Sequence, residues 1–466
     1  MKSNLINATR TFNSLTANGA LTHSTSTNYC LNFFFQAGAS RNTQESDILM
    51  MWERARGENL EMAYRILFWA RDCRGGAGER RFFQVIARHA NLEYPKQWAK
   101  VSILTPLYGC WKDYFLVESI NDDTLNFLMH QLEESANANL LGKWFPRVGK
   151  WFKAMHNYLG CTPKQLRSRL VDLTNVVETK LCNRDWDSID YSKVPSIAMN
   201  LYRNTFGRHD ERRFNAFNQL VLEGKAKVNA SVLHPHQLFQ ALIGGQDASA
   251  VEAQWINLTN YMEGSTERIL PLCDVSGSMD GLPMDVSVSL GLYIAERNEG
   301  PFKNAFITFS ENPQMHYIQD GTLGDKLMQI ARSDWGYSTN LEASFDLILN
   351  SALREELSQD EMPTKLLIIS DMEFNEAADG RTNLDSIRAK YANSGYVMPE
   401  IIFWNVNGRM DNVPAMSNDP GVGLVSGFSP AILTSILKGR VLSPYDLMHK
   451  AVMDSRYEPV TTMLEL

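Results

Sequence analysis

Two hydrophobic rhythms divide the chain. Up to about residue 266, apolar residues recur at steps of three and four, the spacing that collects them on one face of a helix. Leu60, Ala63, Leu67 and Ala70 form one such face. Comparable patterns run through 82–89, 124–132, 163–177, 198–205 and 212–222. Gly75-Gly76, Pro95, Gly109, Gly160 and Gly207 fall between them and predict the breaks. No fixed-period repeat is present. Many short helices joined by short loops still predict stacked helix pairs, as in an irregular α-helical solenoid.

From residue 267 the rhythm changes. Short, almost wholly apolar runs near 268–273, 304–309, 365–370, 400–406 and 422–426 predict strands. Helical patterns near 284–297, 323–331, 340–354, 383–393, 430–438 and 444–453 alternate with them. That alternation predicts a mostly parallel sheet covered on both faces. The boundary falls near 260–267, where Gly264-Ser265-Thr266 breaks the preceding helix. A helical domain over 1–266 and an α/β Rossmann-like domain over 267–466 are therefore expected.

Composition adds limits. Hydrophobic content of 44% and charged content of 21% are ordinary for a folded globular chain. The six cysteines, at 30, 73, 110, 161, 182 and 273, show neither Cys-x-x-Cys nor zinc spacing, which predicts reduced thiols in the cytoplasm. The first twenty residues are polar and do not read as a secretory signal. No apolar stretch is long enough to span a bilayer, so no membrane role is expected. The net charge of −8 hides an asymmetry. Residues 1–266 carry 30 Lys and Arg against 25 Asp and Glu, a balance of +5; residues 267–466 carry 15 against 28, a balance of −13. Different partners for the two halves follow from that contrast, or merely two solvated surfaces.

The sharpest chemistry is Asp274-Val275-Ser276-Gly277-Ser278, directly after a predicted strand. A carboxylate and two hydroxyls at alternating positions suit a hard cation such as Mg²⁺, which takes oxygen ligands and keeps several waters. Asp371 ends another predicted strand, so both carboxylates sit at carboxyl ends, where open α/β sheets bind ligands. The blander reading is that each caps the helix after its strand. Asp-x-Ser-x-Ser, then Gly336-Tyr337-Ser338-Thr339-Asn340 before a helix, then Asp371, resembles the metal-ion-dependent adhesion site of von Willebrand factor A domains. The resemblance implies that Asp274, Ser276, Ser278, Thr339 and Asp371 hold one Mg²⁺ or another divalent cation. It also implies an open coordination position that accepts an Asp or Glu from a protein partner.

A second resemblance covers most of the chain. Asn18-Gly19-Ala20-Leu21-Thr22-His23-Ser24-Thr25, the loop 71–80 (Arg-Asp-Cys-Arg-Gly-Gly-Ala-Gly-Glu-Arg), Tyr108-Gly109-Cys110-Trp111-Lys112-Asp113 and Gly142-Lys143-Trp144-Phe145-Pro146 follow one another. Then come 185–191, Val194-Pro195-Ser196 and Leu233-His234-Pro235-His236. In this order they resemble the domain of unknown function 2828, itself similar to the TROVE module of Ro autoantigen proteins. Ro proteins place a HEAT-like helical ring before an A-type domain and bind small structured or misfolded RNAs. The resemblance implies the same here, with the N-terminus meeting the α/β half if the ring closes.

Within the helical half, the glycines of 71–80 would let backbone approach a partner, and Arg71, Arg74, Arg80 and Arg81 could engage phosphates. Alternatively the segment is a plain turn, with Asp72 and Glu79 pairing the arginines. It is no P-loop, since Gly-Lys-Ser/Thr is missing. Residues 143–153 interleave Lys143, Arg147, Lys150 and Lys153 with aromatics, the chemistry that phosphate neutralisation and base stacking need. Those four are the leading RNA contacts, with Arg74 and Lys112 behind them, unless the cations are merely solvated around a core of Trp144, Phe145, Trp151 and Phe152. His234 and His236 flank a proline with no third ligand nearby and read as a turn. No nucleophile, base and orienter can be recognised, so no catalysis is expected. The expected function is non-catalytic binding of small structured RNA, not DNA. The rival is a protein scaffold that recruits a partner through the metal.

Overall fold

The computed structural model describes residues 14–134, 138–308, 313–331, 339–376 and 382–465. A helical region is followed by a six-stranded, mostly parallel sheet. The predicted strands are present as β3 (Ile269–Cys273), β4 (Ala305–Thr308), β6 (Lys365–Ser370), β7 (Glu400–Asn405) and β8 (Val422–Ser426). Position 309 of the second predicted strand lies outside the described residues. Three short strands were not legible: β1 (Ser14–Leu15), β2 (Leu21–Thr22) and β5 (Gln314–Tyr317). All are too short, or in β5 too exposed, to leave an apolar alternation.

The sheet order is β5-β4-β3-β6-β7-β8, with β5 antiparallel on its edge. Residues of β3, β4, β6 and β8 are buried throughout, as expected for strands covered on both faces. Pro271 sits inside β3 and has no N–H to donate. Its ladder to β4 starts at Leu272, whereas its ladder to β6 runs from Ile269. From β3 the chain winds one way to β4 and the other way to β6. The crevice outside the carboxyl ends of β3 and β6 is thus the switch point of the sheet.

Local signals set many of the helix boundaries. Asn28 caps Tyr29–Ala37 by accepting from the Leu31 N–H at 2.7 Å. Thr162 and Gln165 form a capping box before Pro163–Leu173. Some expectations needed correction. The pattern over 163–177 is two helices, ending at Leu173 and resuming at Val177. Gly207 breaks nothing and lies within Ser196–His209, where tertiary packing outweighs its modest helix cost.

The helical region has three buried clusters. One, built around Trp111, Leu128, Trp151 and Leu170, spans residues 111–170. Another, around Phe206 and Phe214, spans 177–253. The first helices instead share the main core with the sheet, from Ala20 through Phe34, Trp69 and Ile368 to Val460. Gly38, after Tyr29–Ala37, shows how closely the halves meet: a Cβ there would lie 2.3 Å from the Ser426 carbonyl oxygen of β8. The C-terminal helix Glu458–Glu465 returns to the helical side. Arg65, buried on Leu60–Arg71, pairs with Glu458 at 2.8 Å and donates to the Thr461 hydroxyl at 2.7 Å.

Residues near the N-terminus also reach the α/β half. The β1–β2 hairpin and its flank make single bridges from Gly19 to Asn375, Leu21 to Thr382 and His23 to Val413. The extreme N-terminus, whose contact with the α/β half the resemblance implied for a closed ring, lies outside the described residues.

Candidate metal centre and cationic clefts

Asp274 and Asp371 leave neighbouring strands at the switch point. Asp274 continues the β3–β6 ladder, its N–H donating to Ile369 O at 3.0 Å. Its side chain is wholly buried. Oδ1 accepts from the Ser276 N–H at 2.9 Å, and Oδ2 accepts from the Ser370 hydroxyl. Ser276 and Ser278 hydroxyls lie 3.1 Å apart, and the Ser278 side chain hydrogen-bonds Asp371. Ser278 is exposed, while Ser276 and Asp371 are buried.

Two carboxylates in one dry crevice resist ionisation. Burial, and then the charge of Asp371, push Asp274 up to about 6. Asp371 is likewise raised, chiefly by burial. Arg409 compensates in part, with Nη2 at 3.4 Å from Asp371 and Nε at 3.6 Å from Glu373. The donor set is two carboxylates with two hydroxyls, and it fits a hard cation. Among the described residues, no group of three or more His, Cys, Asp or Glu gathers for a metal. Any cation here would rest on serine oxygens and water as well as carboxylates.

Thr339 has hydrogen-bond partners of its own. Its hydroxyl is engaged with Glu373 O at 2.8 Å and Asn375 Oδ1 at 2.9 Å, and accepts from Asn18 Nδ2 at 3.1 Å. Gly336, Tyr337 and Ser338 lie outside the described residues. Glu373 is also tied to the N-terminal hairpin, accepting from the Ala17 N–H, and within the α/β half it accepts from Asn412 Nδ2. Sequence reasoning missed Ser370, Glu373, Arg409 and Asn18 as parts of this site. Only Ser370, next to Asp371, carried a local signal.

The loop 71–80 is an internal junction. Asp72, wholly buried, accepts from Arg456 and from the Tyr457 hydroxyl. Glu79 pairs with Arg41 at 2.8 Å. Arg71 and Arg80 both bond Asp113 at 2.7 Å. Burial pushes Asp113 up, yet Arg71 and Arg80 outweigh it and hold its carboxyl below the ordinary range. The close approach that the glycines permit is intramolecular: a Cβ on Gly76 would lie 2.0 Å from Trp69 O. Arg81 donates to backbone carbonyls, including Thr43 O at 2.7 Å.

Residues 143–153 divide by burial. Phe145, Trp151 and Phe152 are core, and Trp144 is partly exposed. Lys143 pairs with Glu178 at 2.6 Å. Arg147 is part-buried and donates to Phe145 O, and burial lowers its pKa. Lys150 and Lys153 are exposed, as are Lys112 and Arg74. The ammonium groups of Lys112 and Lys143 lie 4.0 and 4.8 Å from the Trp144 ring centroid. Two clefts flank the helix Ala138–Trp144, of about 540 and about 460 Å³, and Leu140 lines both. His234 precedes the helix Pro235–Ile243, and burial, then Arg41, hold it down at about 4.

Two family models match this chain. Residues 152–267 match the domain of unknown function DUF2828, and residues 268–463 match DUF7788, also a domain of unknown function. The motifs at 18–25, 71–80, 108–113 and 142–146 lie outside the first match. The chain is also similar to an uncharacterized protein of Acanthamoeba polyphaga mimivirus, 28% identical over 497 residues, covering 93% of this chain and 86% of the relative. No helix among the described residues is long and apolar enough to cross a membrane.

Proposed function

We propose that this chain is a non-catalytic, Ro-like RNA-binding protein of the cytoplasm. Its HEAT-like helical half takes small structured or misfolded RNAs, and its von Willebrand factor A-like half holds one Mg²⁺. One observation carries the reading: helices precede a Rossmann-like sheet whose switch point gathers Asp274, Ser276, Ser278 and Asp371. That order of parts is the one Ro proteins have.

In the α/β half, Asp274 and Asp371 supply charge, and the two serine hydroxyls supply neutral oxygens. Thr339 would join through water or after leaving Glu373. Mg²⁺ bound there would offset the charge of the buried carboxylates and would accept a partner's Asp or Glu. The surface of this half is strongly acidic, so phosphates favour the helical half, where Lys150, Lys153, Lys112 and Arg74 are exposed.

Sequencing the RNA that co-purifies after crosslinking tests the reading, with enrichment of small structured RNAs expected. Recovery of no RNA above background would refute it. Titration calorimetry with Mg²⁺ tests the metal: Asp274→Ala is expected to abolish binding, and unchanged binding refutes the ligand set. A second reading, a protein scaffold, draws on Ser278. Its exposed hydroxyl beside buried carboxylates leaves one side of the site accessible to a partner's Asp or Glu.

A further inference from the structure

We infer that the 540 Å³ cleft beside Ala138–Trp144 seats a nucleotide of a single-stranded RNA segment, its base against the aromatic wall and its phosphate on the arginines. The inference rests on the RNA-binding reading and gives it an address. The cleft's size lies in the range of small-molecule pockets. Trp111, Phe127 and Trp144 line it, with Leu140 at its edge. Arg74 and Arg456 line it too, and among the described lining residues none is acidic. An acid-free hollow with two guanidinium groups and three rings selects a planar anion.

The cations are held in place yet keep donors to spare. Arg456 binds the buried Asp72 through Nε and Nη2, and its Nη1 makes no hydrogen bond among the described residues. Arg74 uses Nη1 on Leu107 O at 3.3 Å, and its Nε and Nη2 make none among the described residues. Lys112 and Lys143 already sit at the Trp144 ring; Lys112 adds positive charge to the rim, whereas Lys143 is paired with Glu178. Across Leu140 the neighbouring cleft continues the path with Lys180 and Lys193, though Glu178 and Asp190 line it as well. The mixed charge there makes the first cleft the specific seat.

The exposed pair Lys150 and Lys153 does not line this cleft. The aromatic part of the seat comes from three separated segments, at 111, 127 and 144, which only folding brings together.

Fluorescence anisotropy of a labelled single-stranded oligonucleotide on the full chain tests the inference. Trp144→Leu is expected to weaken binding about tenfold, the scale of one missing base stack. Arg74→Ala is expected to weaken it about fivefold and to flatten the salt dependence. Lys150→Ala with Lys153→Ala serves as the surface control and is expected to weaken binding less than Trp144→Leu. Circular dichroism and melting temperature show whether each variant folds. Arg74→Ala keeps the test open if Trp144→Leu does not fold, because Arg74 is exposed. If wild type binds the oligonucleotide and both cleft variants bind equally well, this address is wrong while the RNA reading stands. If wild type binds no RNA but adenosine monophosphate quenches tryptophan fluorescence in a Trp144-dependent way, the RNA reading fails and the nucleotide seat survives. Binding of neither refutes both. Displacement of the oligonucleotide by polyglutamate as readily as by unlabelled RNA would show recognition of charge alone, and would overturn the base-stacking seat.

Discussion

Replacing Asp274 by Asn isolates what two buried carboxylates cost when no cation joins them. Asp274 is wholly buried and faces Asp371. Burial first, and that neighbour second, raise it from 3.8 to about 6. The folded state therefore binds the proton more tightly than the unfolded chain. Its contribution is fully present below pH 3.8 and is lost as pH rises through about 6. A rise of roughly two pH units corresponds to about 3 kcal/mol of stability missing at neutral pH. Asn keeps the shape and an acceptor for the Ser276 N–H but cannot ionise. In chelator, Asp274→Asn is expected to be more stable than wild type at neutral pH, by up to about 3 kcal/mol, and equal to it near pH 4. Mg²⁺ should close most of that gap. A ligand held only by the folded state adds about 2.7 kcal/mol at a hundredfold excess over its dissociation constant. Wild type would gain that increment and lose its pH slope, and the Asn variant would do neither. Urea denaturation across pH 4 to 8, with and without Mg²⁺, reads both effects. Equal stabilisation of the two proteins by Mg²⁺, or a wild type whose stability in chelator does not fall as pH rises, would refute the reasoning.

Four other outcomes follow from the same structure. Replacing Lys143, Arg147, Lys150 and Lys153 together by Ala should weaken RNA binding and flatten the logarithmic salt slope, by about 0.7 for each phosphate no longer neutralised. Asp274→Ala should leave RNA affinity unchanged, and the opposite pattern in salt-dependent filter binding would move RNA to the α/β half. Asp113→Ala strands Arg71 in a buried site and should cost about 3–5 kcal/mol in urea denaturation; a cost below about 1 kcal/mol would show that the Asp113 cluster is dispensable. Gly38→Ala would drive a Cβ to 2.3 Å from the Ser426 carbonyl. Destabilisation by more than about 2 kcal/mol in the thermal melt is expected, and an unchanged melt would mean the first helix and β8 can separate freely.

The sequence by itself determined the kinds of element, and much of their placement. Short runs with apolar interiors, such as Lys365–Ser370 and Glu400–Asn405, read as strands buried on both faces, and the structure has them at those positions. The Asp274 and Asp371 pair was legible because each follows such a run, and parallel strands deliver their carboxyl ends to one side of the sheet. What only the tertiary structure decided is how separated segments share atoms. A helical period gives Leu60–Arg71 one apolar face, at Leu60, Ala63, Leu67 and Ala70, but not that Met62 through Arg71 are all buried, nor that the C-terminal helix Glu458–Glu465 meets it at Glu61 and Arg65. Asp72 and Glu79 read equally well as partners for their own loop's arginines; packing gave them Arg456 and Arg41 instead. Thr339 matched a motif by order along the chain, yet its hydroxyl is engaged with Glu373 and Asn18, whose proximity no local pattern encodes. Short-range propensity and periodicity act within a few residues. Which carboxylate meets which guanidinium depends on segments tens to hundreds of residues apart, joined when separate faces bury one another.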